Sequence, residues 1–101
     1  MDESYDGQET TLTIGQEFEV LLPEDPQLDF HWRFAANGWP VCELRDEYFE
    51  QSIRLQASGG SRVWRFQARQ VGSATIHLVY EKQGEPEEVS QRSFSLHVVV
   101  S

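Results

Sequence analysis

The chain has 101 residues, which is enough for one domain around one modest hydrophobic core. It carries 8 basic and 17 acidic side chains, a net charge of −9, so a neutral or basic protein surface fits it better than nucleic acid or a membrane. Its one cysteine, Cys42, allows no intrachain disulfide and no cysteine-based zinc site, and we expect no cofactor and no metal.

The predicted elements begin with a polar, acidic leader over residues 1–9, which we interpret as flexible, ahead of a single domain over residues 10–101. The leader lacks the basic and apolar segments of a signal peptide, which indicates a cytoplasmic protein, or a periplasmic or secreted one if a signal was removed. After it, apolar and polar side chains alternate with the period of two typical of strands with one buried face. The alternating runs cover residues 11–14, 17–22, 30–36, 53–57, 62–69, 73–81 and 91–100.

The segment between residues 41 and 52 is ambiguous, and residues 44–49 fit a short helical turn. About seven short strands separated by turn residues predict an all-β sandwich or barrel. If successive strands run up and down, the connections between them alternate between the two ends of the fold. Strand order alone therefore predicts a three-loop binding edge, built from residues 23–29, 58–61 and 82–90.

A glycine pair, a strand with central aromatics, a glycine turn and a strand that ends in tyrosine follow one another in the second half of the chain. The residues are Gly59, Gly60, Trp64, Phe66, Gly72, Ile76, Leu78 and Tyr80. In this order and spacing they resemble the chagasin family of cysteine protease inhibitors, and the resemblance extends over residues 12–100. It implies an immunoglobulin-like antiparallel β-sandwich of about seven to eight strands that pushes three loops into the cleft of papain-like peptidases.

The resemblance also implies which residues bind the peptidase. The first loop keeps the family's proline, Pro26, and its closing aromatic, Phe30, while the second keeps its glycine pair. The third loop lacks the family's Arg-Pro-Trp. The implied binding residues are Asp25, Pro26, Gln27, Leu28, Asp29, Phe30, Ser58, Gly59, Gly60, Lys82, Gln83, Gly84 and Pro86.

Three features of the chain have two interpretations each. Leu28 either enters an apolar subsite of a partner or folds back under its own loop, and Trp39 either anchors an interface or covers the open edge of the core. The acidic side chains near the binding edge either form a solvated rim or steer a basic partner. They are Glu24, Asp25, Asp29, Glu81, Glu85, Glu87 and Glu88.

The sequence holds no recognisable catalytic constellation, so we do not expect an enzyme. His31, His77 and His97 fall on the polar phase of their strands and either share a metal on one sheet face or lie exposed without a ligand. We expect a monomer, but the run at residues 98–100 is apolar on both phases and fits a doubly buried strand or an edge that pairs with a second chain.

Two functions follow from these observations. The first is inhibition of papain-like cysteine peptidases, with the three loops placed in the active-site cleft and a papain-like peptidase as the partner. The second is a non-inhibitory protein-binding module, in which the same sandwich presents rewired acidic loops. The loop-and-strand resemblance favours the first, and the missing Arg-Pro-Trp favours the second.

Overall fold

The computed structural model describes residues 1–24, 30–51, 59–82 and 92–101. These ranges contain a short 3-10 helix and seven strands. They are Glu3–Tyr5 for the helix, then β1 (Gln8–Leu12), β2 (Glu17–Glu24), β3 (Phe30–Asn37), β4 (Cys42–Gln51), β5 (Gly60–Ala68), β6 (Gly72–Lys82) and β7 (Arg92–Val100). Within these ranges, no helix has the length and apolar character needed to cross a membrane.

The strands form two sheets that pack face to face, with strand orders β1-β7-β6-β3 and β2-β5-β4. The predicted all-β sandwich is confirmed. Every neighbouring pair is antiparallel except β1 and β7, which run parallel. The parallel pair is possible because β1 leads into β2 of the other sheet, so no hairpin turn fixes its direction relative to β7.

Side-chain alternation fills the space between the sheets with large apolar groups. Phe18 of β2 stacks on Phe66 of β5 with ring centroids 5.2 Å apart, and Phe34 from the opposite sheet meets Phe66 at right angles with centroids 6.1 Å apart. β7 lies between β1 and β6, which explains the apolar run that ends at Val100. It is therefore an interior strand of its sheet, and the alternative of an edge that pairs with a second chain is wrong.

The N-terminal segment over residues 1–9, predicted as flexible, is bound to both sheets. The Leu21 amide donates to the Met1 carbonyl at 2.8 Å, and the Ser95 amide donates to the Asp6 carboxylate at 2.8 Å. The 3-10 helix and the start of β1 also lie within this segment. The structure differs from the prediction, because hydrogen bonds to backbone groups of β2 and β7 need no apolar alternation in the segment that makes them.

The second correction concerns residues 44–49, where we predicted a helical turn and the structure has the edge strand β4. The register to β5 shifts between Leu44 and Asp46, which marks a β-bulge. A bulge inserts one residue and breaks the period of two, so the alternation that identifies the other strands is lost here. The strand predicted at residues 53–57 lies outside the described residues.

Candidate functional site

Three connections leave from and return to one end of the sandwich. In one sheet, the last residues of β2 and β4, Glu24 and Gln51, both pair with Gly60 at the start of β5. In the other sheet, Phe30 at the start of β3 pairs with Lys82 at the end of β6. Because only five positions, 25–29, separate β2 from β3, the two sheet ends coincide. The described flanks therefore agree with the predicted common end.

Aromatic side chains fill the sandwich beneath this end. Phe30 stacks on Tyr80 with centroids 5.5 Å apart, and Trp32 meets Tyr80 at 4.8 Å and Trp64, at nearly right angles, at 6.4 Å. The indole N–H of Trp32 donates to the Pro23 carbonyl at 3.0 Å, which joins β3 to β2 across the two sheets. Aromatic pairs of this geometry contribute about 0.5–1.5 kcal/mol each beyond burial. The end from which the loops leave is therefore a rigid base.

Two buried carboxylates lie at the same end. Glu24 at the end of β2 is 5% exposed and Glu81 near the end of β6 is 8% exposed. Each is paired with an arginine, Glu24 with Arg62 at 2.9 Å and Glu81 with Arg33 at 2.6 Å. The hydrogen bond with Glu81, and then its charge, raise the pKa of the Arg33 guanidinium above its ordinary value. Neither carboxylate belongs to the acidic rim that the sequence predicted, because both are buried and neutralised.

The glycine pair of the second loop divides into two roles. A Cβ on Gly60 would lie 2.9 Å from the Phe49 ring and closer still to the Glu50 carbonyl oxygen, so no larger residue fits without a shift of β4. A Cβ on Gly59 would meet the Glu24 carbonyl oxygen at 3.8 Å, an ordinary contact. Gly60 is therefore required by the packing of β5 against β4, and among the described residues none lies close enough to Gly59 to exclude a side chain.

The described part of the chain holds four of the predicted binding residues. Phe30, Gly59, Gly60 and Lys82 all lie at the common end, and Phe30 is half-buried against Tyr80, in the base rather than on an exposed tip. The others lie outside the described residues. They are Asp25, Pro26, Gln27, Leu28, Asp29, Ser58, Gln83, Gly84 and Pro86.

Sequence reasoning missed the ion pairs at the base. The signal is a charged residue on the inward phase of a strand. Glu24 follows Val20 and Leu22 on the buried phase of β2, and Arg62 precedes Trp64 on the buried phase of β5. A carboxylate in such a position has to find a buried cation, since an unpaired buried charge is too costly to keep.

Trp39 lies at the opposite end, in the connection between β3 and β4. Its side chain is 57% exposed, and the Arg69 guanidinium stacks over the indole ring at 4.6 Å from the centroid. The interpretation of Trp39 as a cover over the core is wrong, because Arg69 holds the ring on the surface.

The remaining candidates for chemistry form no site in the described ranges. No group of three or more histidine, cysteine, aspartate or glutamate side chains there could hold a metal ion. His97 lies with its Nδ1 atom 3.4 Å from the Thr75 hydroxyl and its Nε2 atom 3.9 Å from the Glu9 carboxylate. Cys42 is buried, and burial raises the pKa of its thiol, which agrees with a role as core filler.

Comparisons with known proteins give the family. The family model described as chagasin family peptidase inhibitor I42 matches residues 11–98. Chagasin from Trypanosoma cruzi is 22% identical over 82 residues, which cover 76% of this chain and 74% of chagasin. The cysteine protease inhibitor EhICP2 from Entamoeba histolytica has a similar structure, with a TM-score of 0.85 and 18% identity over 100% of this chain and 92% of EhICP2. PbICP-C, solved in complex with falcipain-2, gives a TM-score of 0.65 and 11% identity over 92% and 86% of the two chains. Because the family match spans most of its length, the chain belongs to the chagasin family of peptidase inhibitors.

Proposed function

We propose that this protein inhibits papain-like cysteine peptidases by placing the three connections at one end of the sandwich in the active-site cleft. The observation that carries the proposal is the convergence of the flanks Glu24, Gln51 and Lys82 at one end, in a chain of a peptidase inhibitor family. Two similar proteins support the class of target. EhICP2 is a cysteine protease inhibitor, and PbICP-C forms a complex with falcipain-2.

Inhibition of this kind needs no chemistry in the inhibitor, so we propose that the protein is not an enzyme. It binds reversibly and excludes substrate, and its affinity depends on how little order the loops must gain on binding. The aromatic contacts of Trp32 and the ion pair of Glu24 hold in place the strand ends from which the three connections start. The proposed contact residues are those of positions 25–30, the glycines at 59 and 60 with Ser58, and Lys82, Gln83, Gly84 and Pro86.

We expect stoichiometric loss of papain activity when the protein is titrated from nanomolar to micromolar concentration against a fluorogenic peptide substrate. Leu28→Asp places a charge in the first proposed loop and should weaken inhibition about tenfold or more, since apolar anchors carry much of the energy of an interface. Val71→Asp likewise replaces an aliphatic side chain with a carboxylate, at an exposed position of the opposite end, and should leave inhibition unchanged.

Two outcomes would contradict the proposal. One is a folded protein that inhibits neither papain nor a cathepsin-L-like peptidase at micromolar concentration, which would favour the non-inhibitory binding module. The other is equal weakening by Leu28→Asp and Val71→Asp, which would mean that the inhibitory surface is not at the end with the three loops.

A further inference from the structure

Arg62 connects the bases of two of the three loops. It lies on β5, between β2 and β4, and its guanidinium contacts the last residue of β2 through two hydrogen bonds to Glu24, at 2.9 and 3.4 Å. On the other side it lies 3.7 Å from the Glu47 carboxylate and 5.9 Å from the centre of the Phe49 ring, both on β4. Segment 25–29 starts directly after Glu24.

The environment of this contact makes it strong. The Glu24 side chain is almost fully buried, and Arg62 is mostly buried. A carboxylate in such a place costs free energy unless a cation pairs with it, and the planar guanidinium is the group that binds both of its oxygens. Glu24 also pairs with Gly60 in the β2–β5 ladder. The position of the end of β2 therefore depends on Arg62.

We propose that Arg62 is a positioning residue for peptidase binding, which sets the distance between the bases of the first and second loops without itself contacting the peptidase. The proposal rests on the proposed function and names a residue outside the loops on which it depends. A small error in the spacing of two loops that must enter one cleft together weakens binding, because the loops then have to rearrange as they bind.

Arg65 provides a matched control on the same strand. It also lies between β2 and β4, pairing in register with Glu19 and Asp46, and it makes an ion pair with Glu19 at 3.1 Å. It differs in two respects. It lies three positions further from the loop end, on the outer face of the sheet, and both partners are partly exposed. A variant of Arg65 therefore removes the same kind of ion pair from the same strands, away from the loops.

The experiment compares Arg62→Met, Arg62→Lys, Arg65→Met and the double variant Glu24→Leu with Arg62→Met, in the whole chain against papain. We expect Arg62→Met to raise the inhibition constant about tenfold or more and Arg65→Met to change it less than about twofold. Inhibition by Arg62→Lys should also be weak, because the lysine ammonium cannot bind both oxygens of the Glu24 carboxylate in the way that the guanidinium does. The double variant leaves no unpaired buried charge, so it should recover the melting temperature but not the affinity.

A second measurement separates this inference from the proposed function. Hydrogen exchange in the free protein should be faster at the Glu24–Gly60 ladder in Arg62→Met than in Arg65→Met. Full recovery of affinity in the double variant, or wild-type inhibition by folded Arg62→Met, would overturn the inference. If the wild-type protein inhibits no papain-like peptidase, the proposed function fails. Hydrogen exchange alone then tests whether Arg62 holds the end of β2 in place. Unchanged exchange in Arg62→Met then overturns the role of Arg62 as well.

Discussion

Replacing Gly60 with alanine is expected to lower the free energy of unfolding by about 3 kcal/mol, because overpacked atoms force the backbone to shift. The added Cβ would lie 2.9 Å from the Gln51 Cα and equally close to the Phe49 ring, with the Glu50 carbonyl oxygen nearer still. These atoms belong to β4, and two of the three are backbone atoms that cannot rotate away. Urea unfolding of the purified variant measures the loss.

Gly59→Ala is the control for this prediction. Among the described residues, its Cβ would have the Glu24 carbonyl oxygen at 3.8 Å as its nearest neighbour, so the change in stability should stay within about 0.5 kcal/mol. Equal stability of the two variants would contradict the close approach of β4 to β5 at Gly60. A loss confined to Gly60→Ala would support it.

The second large effect is expected at Trp64, where replacement by alanine should lower the free energy of unfolding by about 3–5 kcal/mol. Trp64 is 1% exposed and makes edge-to-face contacts with Trp32, at 6.4 Å between ring centroids, and Phe34, at 5.9 Å, from the opposite sheet. Its removal leaves a cavity where the two sheets meet. Since domains of this size have a total stability of about 5–15 kcal/mol, the variant should be close to unfolding at room temperature.

Trp39→Ala makes the same substitution at an exposed position, and its effect should be about 1 kcal/mol or less, the contribution of its contact with Arg69. Thermal unfolding of the two variants followed by circular dichroism compares them directly. A larger loss at Trp39 than at Trp64 would mean that the stability of the sandwich does not depend on the aromatic contacts between its sheets.

The strands that sequence reasoning identified are those whose side chains alternate over most of their length, including β3, where the register shift comes only after Phe34. β2, β5, β6 and β7 alternate regularly because each inward side chain packs against the opposite sheet. β4 was not identified because its bulge falls early in the strand and because it lies at a sheet edge, where most side chains are exposed and can be charged. The pairing of the N-terminal segment was not predicted because it uses backbone groups, which require no pattern of hydrophobic side chains.

The common end of the three loops could be predicted because it follows from counting strands. The residues that support this end could not be predicted, because their roles depend on which residues of different strands come together. Gly59 and Gly60 look alike in the sequence, and only the approach of β4 makes one of them indispensable. Likewise, Arg62 and Arg65 are both arginines of β5, on opposite phases of the strand, and only the structure shows that the partner of Arg62 is the buried Glu24 at the loop end.

The pairing of the first strand with the last has a consequence for how the chain folds during synthesis. Gln8 of β1 pairs with Leu96 of β7, and Leu12 pairs with Val100. The four-stranded sheet therefore cannot be completed until β7 has left the ribosome, and β1 stays unpaired while residues 13–91 are synthesised. Folds dominated by such long-range pairings form slowly, so we expect this sheet to form only after β7 has been made, in milliseconds to seconds, and not progressively from β1.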